Sequence, residues 1–407
     1  MEVVEDIVIV GAGIAGLTTS LGLHRQGIGS LVLESSDNLR ANGFAFTTWT
    51  NAWKALDAVG IGDSLRQKHG LIEGIVVASK ISGQPPSEIS CKAKGTNGEH
   101  EVRCVQRELL LESLERDLPS GTIRFSSKVV SIEESGFFKL VHLADGTILK
   151  TKVLIGCDGV NSVVSKYLGF KKPAFTGRSA IRGFAYFSES HDFGSKFLQF
   201  FGKGYRYGLL PCDDKKMYWF FTWRPSIEDK ELDNPSKMKQ FVLSKLVDLP
   251  DEARNIIEKT DLDSIISSPL RFRYPWELLW RQISKGNVCV AGDALHPMTP
   301  DIGQGGCSSL EDGVVLAKLI GNALLNKPCG DEDNNKEYKR IEKGLKEFSK
   351  QRKWRSIDLI TTAYTVGFIQ ESDGKIMTFL RDKILSVFLA KMLLKKADFD
   401  CGKLSVC

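Results

Sequence analysis

A Gly-x-Gly-x-x-Gly run, Gly11-Ala12-Gly13-Ile14-Ala15-Gly16, follows directly on the apolar stretch Ile7-Val8-Ile9-Val10. The spacing predicts a buried strand over 6–10, a helix over 14–26 and a second strand over 30–34, a β-α-β unit. In such a unit the first glycine allows a tight turn. The second lets a pyrophosphate approach the backbone, and the third lets helix and strand pack closely. The free N–H groups and positive dipole end of the helix then face the phosphates. Ile14 and Ala15 supply the first of those N–H groups. Glu34 closes the second strand, 18 residues after Gly16. A carboxylate there accepts hydrogen bonds from ribose hydroxyls and repels a 2′-phosphate. The run therefore predicts dinucleotide binding, without separating FAD from NAD.

Two further motifs bear on that choice. Gly156-Cys157-Asp158-Gly159-Val160-Asn161-Ser162 ends a buried strand in an Asp-Gly turn. The stretch from Gly292-Asp293 through His296-Pro297 and Pro300 to Gly303-Gln304-Gly305-Gly306 leaves another strand and opens a helix over 306–326. Asp293 at a strand end is placed to hold ribityl hydroxyls. The Gly303–Gly306 turn aims backbone N–H groups at an anion, and a reduced flavin carries its charge on the pyrimidine side. Such a helix end is worth about 1–2 kcal/mol to a partly buried charge. Together the three motifs point to FAD.

In the order and wording of these motifs the chain resembles the group A flavoprotein monooxygenases, which include p-hydroxybenzoate hydroxylase, salicylate hydroxylase and zeaxanthin epoxidase. The resemblance spans about residues 6–325. The Ala294–Pro300 wording is nearest to plant salicylate-hydroxylase-like monooxygenases and zeaxanthin epoxidase. It implies FAD as cofactor and NADH or NADPH as co-substrate, with the Asp158 motif serving both. By motif, the FAD-contacting arginines fall on Arg40 and Arg107. The implied activity inserts one atom of O2 into a small organic substrate, expected to be aromatic, through a flavin C4a-hydroperoxide. Epoxidation of an isoprenoid shares every motif; a non-catalytic flavoprotein and an NAD-dependent dehydrogenase are the further alternatives. The chain departs from the family at two places. Ser165 stands where an Arg is frequent, and Cys307 where the aromatic hydroxylases often have Asn; at the latter it resembles the epoxidase and urate-hydroxylase-like branches.

The remaining sequence suggests what surrounds the cofactor. Residues 175–223 are rich in Phe, Tyr and Trp and alternate as a β-sheet does. The substrate pocket is expected between this sheet and the FAD domain, with Arg182, Tyr186, Phe201, Tyr207 and Trp219 as candidates. Residues 234–260 and 337–396 read as helical. The expected fold is α/β: a Rossmann-like FAD-binding domain (1–72, 101–174 and 284–326), an inserted β-sheet substrate domain (73–100 and 175–283), and a helical C-terminal region (327–407). The net charge of +5 is too diffuse to argue for nucleic acid. Nine scattered cysteines without a C-x-x-C, and six isolated histidines, suggest neither a disulfide framework nor a metal site. No signal or transit segment and no membrane-spanning run is apparent, so a cytoplasmic location is expected. The basic, amphipathic segment 376–396 could rest on a membrane surface. The sequence leaves the oligomeric state open.

Overall fold

The strand Val4–Val10 lies inside a parallel array, pairing with Leu31–Leu33 on one side and Ile148–Gly156 on the other. Both faces of that array are covered, which is why Ile7–Val10 is a continuous apolar run and not an alternating one. The computed structural model describes residues 4–39, 44–79, 85–96, 98–226, 232, 234–247, 249–326, 333–372 and 386–404. Arg40 lies outside them. Val288–Val290 and Ile123–Arg124 extend the parallel part, and the hairpin Val129–Ser135 and Phe138–Leu143 adds an antiparallel edge. Asp145-Gly146 turns the chain from Phe138–Leu143 into Ile148–Gly156, with Gly146 at φ +87°.

The first helix, Ile14–His24, is buried along its length, including Thr18, Thr19 and Ser20. It is clamped between the sheet and the helix Gly305–Leu325. Small residues set that approach: a Cβ on Gly22 would stand 2.6 Å from the Ala317 methyl, and one on Gly313 would stand 2.6 Å from Thr18. The long helix Asn334–Glu371 packs on Gly305–Leu325 from outside.

A second, seven-stranded sheet is built from Ala174–Tyr186, Lys196–Gly202, Tyr205–Pro211, Lys216–Trp223 and Ile266–Phe272, with Gly74–Ser79 and Ser87–Ser90 added at one edge. One of its faces carries Ile181, Tyr207, Leu209, Met217, Trp219 and Phe221 into a separate core under the helices Pro235–Lys245 and Asp251–Glu258. The other face joins the main core through Phe184, Phe197, Leu210 and Tyr218. The helical stretch expected over 234–260 is thus two helices. Pro250 caps the second one and separates it from the first, because a proline donates no N–H to a continuing helix. Among the described residues of 337–396, Asn334–Glu371 and Ser386–Ala397 are helical. The whole is the expected α/β arrangement with an inserted sheet and a helical C-terminus.

Candidate cofactor and substrate site

The glycine loop is tied to both neighbouring strands. Gly11 N–H donates to Leu33 O (2.7 Å), and Cys157 N–H to Val10 O (2.7 Å). Gly11 stands at φ +100°, and a Cβ there would meet Cys157 O at 2.5 Å. A Cβ on Gly16 would lie 2.0 Å from Gly11 O. Gly13 is different, because a Cβ on it would meet nothing within 4 Å. Gly11 and Gly16 therefore serve packing, while Gly13 fronts open space at the helix N-terminus, room of the kind a pyrophosphate needs. The buried Glu34 carboxylate anchors this loop. It accepts from Ala12 N–H (3.0 Å), Ser36 N–H (2.9 Å) and Ser35 Oγ (3.2 Å).

Asp293 follows the strand Val288–Val290, and its side chain is open to solvent although protein surrounds it closely. Desolvation raises its carboxyl above the usual range; His296 and Arg107 oppose that rise. Arg107, at the start of the helix Arg107–Arg116, thus acts on Asp293 from the other wall. Pro300 is exposed and begins a short turn that ends at Gly303, whose φ is +62°. Gly305 has only Met298 Cγ near a built Cβ (3.7 Å), whereas Gly306 packs on Phe46 (2.5 Å). Gln304 is buried; its Oε1 accepts from Asn51 Nδ2 (2.8 Å), and its Nε2 has no protein partner among the described residues. Open glycines, an accessible carboxylate and an unspent buried donor fit an extended dinucleotide lying from Gly13 past Asp293 to Gly305. Asp158 behaves otherwise. Its carboxylate accepts from Ser162 Oγ (2.5 Å) and Val163 N–H (2.6 Å), so it ties off its own turn.

Two side chains that the motifs did not reveal brace this end of the site. Arg352, fully buried on the long helix, donates to Asp312 Oδ1 (2.5 Å) and lies 2.7 Å from Glu311 Oε2. Asp312 Oδ2 in turn accepts from Gly292 N–H (2.7 Å) and lies 2.7 Å from His296 Nε2. Arg273 is the second. It donates to Leu295 O (2.9 Å), Ala294 O (3.1 Å) and Ser165 Oγ (3.1 Å). A guanidinium thus stands beside Ser165, the position where the resemblance leads one to expect an Arg. Cys307 is buried with its thiol toward Thr47 O and Gly303 O, and burial pushes its pKa up to about 12, so it stays neutral.

The second sheet divides the substrate candidates. Arg182 faces the cofactor side, stacked over Phe44 (5.5 Å) with Arg107 over the same ring (5.4 Å). Phe201 is buried, Tyr186 is exposed, and Phe184, Tyr218 and Phe220 line the same side. Lys216 Nζ donates to Gln106 Oε1 (2.5 Å) and lies over Phe184 and Tyr186. Tyr207 and Trp219 require correction. They point to the opposite face, where Tyr207 Oη donates to Ala253 O (2.9 Å) and Trp219 Nε1 to Thr260 Oγ1 (2.8 Å). Side chains alternate along a strand, and both faces of this sheet are apolar, so aromatic content alone did not distinguish them. Tyr207→Phe is expected to cost about 1 kcal/mol of stability for the lost buried hydrogen bond, with turnover unchanged. Urea unfolding alongside a steady-state assay checks this.

The FAD binding domain family matches residues 5–328. Monooxygenase 2 of Arabidopsis thaliana is 60% identical over 402 residues, covering 98% of each chain. Monooxygenase 1 of the same plant is 36% identical over 401 residues, covering 98% of this chain and 99% of that one. Among solved structures, Klebsiella pneumoniae HpxO complexed with FAD and uric acid superposes with a TM-score of 0.81 at 22% identity, covering 98% of both chains.

Proposed function

Since the chain belongs to the FAD binding domain family and is a group A FAD-dependent monooxygenase, we propose that it uses NADH or NADPH to hydroxylate a small, polar aromatic substrate. When bound, FAD accepts the hydride and then activates O2 for transfer of one oxygen atom; the other leaves as water. The observation that carries the reading is the accessible Asp293 carboxylate, set between open Gly13 and open Gly305 with Arg107 opposite.

Each residue then has a task. The N-terminus of Ile14–His24, with Gly11, Gly13, Ile14, Ala15 and Gly16, holds the pyrophosphate. Glu34 fixes the loop and faces the ribose. Asp293 holds the ribityl chain, and Arg107 balances charge across the cleft. The turn of Pro300, Gly303, Gln304, Gly305 and Gly306 offers N–H groups to the anionic side of the ring. Asp158 shapes the turn where the nicotinamide donor would pass. We keep Arg40 with the cofactor on motif position alone. Arg182, Phe201 and Tyr186 would receive the substrate; the cations Arg182 and Lys216 among the rings favour a polar aromatic over an isoprenoid chain. In this scheme 1–72, 101–174 and 284–326 carry FAD, 73–100 and 175–283 meet substrate, and 327–407 is the helical C-terminal region, of which Asn334–Glu371 packs on the cofactor domain. No described helix is long and apolar enough to cross a membrane.

The test adds phenolic acids, purines and isoprenoids singly to FAD-loaded protein and follows NAD(P)H oxidation, peroxide and product. Stimulated oxidation with an oxygenated aromatic and little peroxide supports the reading; an epoxidised isoprenoid overturns the substrate assignment. Asp293→Ala, reloaded with FAD, is expected to lose about 100-fold in turnover through lost positioning. Full activity would remove Asp293 from the cofactor.

A further inference from the structure

Five aromatic rings form a continuous ladder on the outside of the molecule. Trp276 stacks on Tyr274 (centroids 4.4 Å apart), Tyr274 meets Phe272 (4.9 Å), Phe272 stacks on Tyr364 (4.6 Å), and Tyr364 lies 6.5 Å from Phe368. Only Phe272 is buried. The loop and short helix Glu277–Trp280 continue the surface with exposed Leu279 and Trp280, the latter 82% accessible. Lys353 Nζ donates to Leu279 O (3.1 Å) and so joins this helix to the long one, where Trp354 is 66% accessible. Trp354, Ile357, Thr361, Tyr364 and Phe368 recur at three- and four-residue steps and share one helix face. At 150–250 Å² per aromatic side chain the exposed rings amount to roughly 500 Å², at the upper end of what a soluble monomer leaves bare.

The chemistry of the patch identifies its occupant. Tryptophan and tyrosine concentrate where an apolar phase meets water, because each ring has an apolar body and a polar edge. None of the side chains of Tyr274, Trp276, Trp280, Trp354 and Tyr364 hydrogen-bonds to a protein group among the described residues. Lys171 and Arg281, which flank Glu277, and Lys350, one turn before Trp354, are exposed, with Lys353 beside Leu279. The neighbouring carboxylates are already engaged: Glu277 by Arg273 (3.0 Å) and Lys171 N–H (2.7 Å), and Asp358 by Lys396. Lysine is depleted at protein–protein interfaces, whereas it is the residue that anionic lipid attracts, at about 1 kcal/mol each near the surface. We propose that this aromatic and cationic face docks on an anionic lipid surface.

The probe is the FAD-loaded full chain, mixed with phosphatidylcholine vesicles with or without phosphatidylserine and read by co-sedimentation and tryptophan emission. The expected result is binding to the phosphatidylserine vesicles, weakened by salt, with a blue shift of the emission. Trp276→Ser/Trp280→Ser/Trp354→Ser should lower the bound fraction at least about tenfold while flavin absorbance and circular dichroism stay unchanged. A Trp→Phe triple variant should recover part of the binding. Three results overturn the proposal. One is no vesicle binding at all. Another is binding that the serine variant leaves intact. The third is vesicle-independent self-association that the same substitutions abolish, which would make the face an interface between copies of the chain.

Discussion

A Gly13→Val protein is expected to fold with near-wild-type stability, purify colourless, and bind FAD at least about 100-fold more weakly, or roughly 2.7 kcal/mol. Gly13 has φ −85° and ψ −173°, extended backbone that valine adopts readily. Its Cβ would meet nothing within 4 Å, so the apoprotein tolerates the branch. The methyl groups then fill the space in front of the helix N-terminus, where the proposed pyrophosphate sits. Gly16→Val is the contrasting case: a Cβ 2.0 Å from Gly11 O forces helix and strand apart, and the loss should appear in folding before it appears in flavin content. The measurements are flavin per chain, FAD titration by fluorescence quenching, and apoprotein melting. A yellow, tightly loaded Gly13→Val protein would place the pyrophosphate elsewhere.

Arg352→Met should be the most damaging single change outside the glycine loop, at about 3–5 kcal/mol of stability. The side chain is fully buried and divides its bonds between Glu311 and Asp312. Methionine fills much of the volume but removes a cation from two buried carboxylates; Glu311 keeps Arg355 (2.7 Å), so Asp312, left with His296, bears the larger loss. Because Asp312 also holds Gly292 N–H and His296, the variant should shed FAD at denaturant concentrations where the wild type retains it. Arg352→Lys keeps the charge without the forked geometry and should recover part of the loss. Equal urea midpoints for wild type and Arg352→Met would overturn the account. The Asp312 carboxyl also sets an acid limit. Burial alone would push it up, but His296 and Arg352 hold it at about 2, below its ordinary 3.8. A depressed carboxyl stabilises the folded chain fully above the unfolded value and stops doing so as pH falls through the folded one. This contribution should therefore disappear between about pH 3.8 and pH 2.

The cofactor half of the molecule was legible because its signals are local. Strand, glycine loop, helix and Glu34 lie within one β-α-β unit, and the Asp293–Gly306 stretch carries its turn in its own glycines. The substrate half was less so. The inserted sheet is covered on both faces, so its strands lack the polar positions that would say which residues face inward. Tyr207 and Trp219 lie on the far face for that reason, while Arg182 and Phe201 lie on the face turned toward the cofactor domain. Phe44 and Lys216 became visible only when strands from two sheets met. Arg352 reads in sequence as one charge among many in the run from Lys343 to Arg355; only burial sets it apart.

The guanidinium of Arg273 bonds Ser165 across 108 residues of chain. The two positions consequently share one space, and an arginine can occupy it from either side but not from both. Ser165→Arg alone would drive two cations together, whereas Ser165→Arg with Arg273→Ser should be tolerated. The inserted sheet's end of the molecule thus supplies a cation to the turn after Asp158, so a single guanidinium joins two stretches that are far apart in the chain.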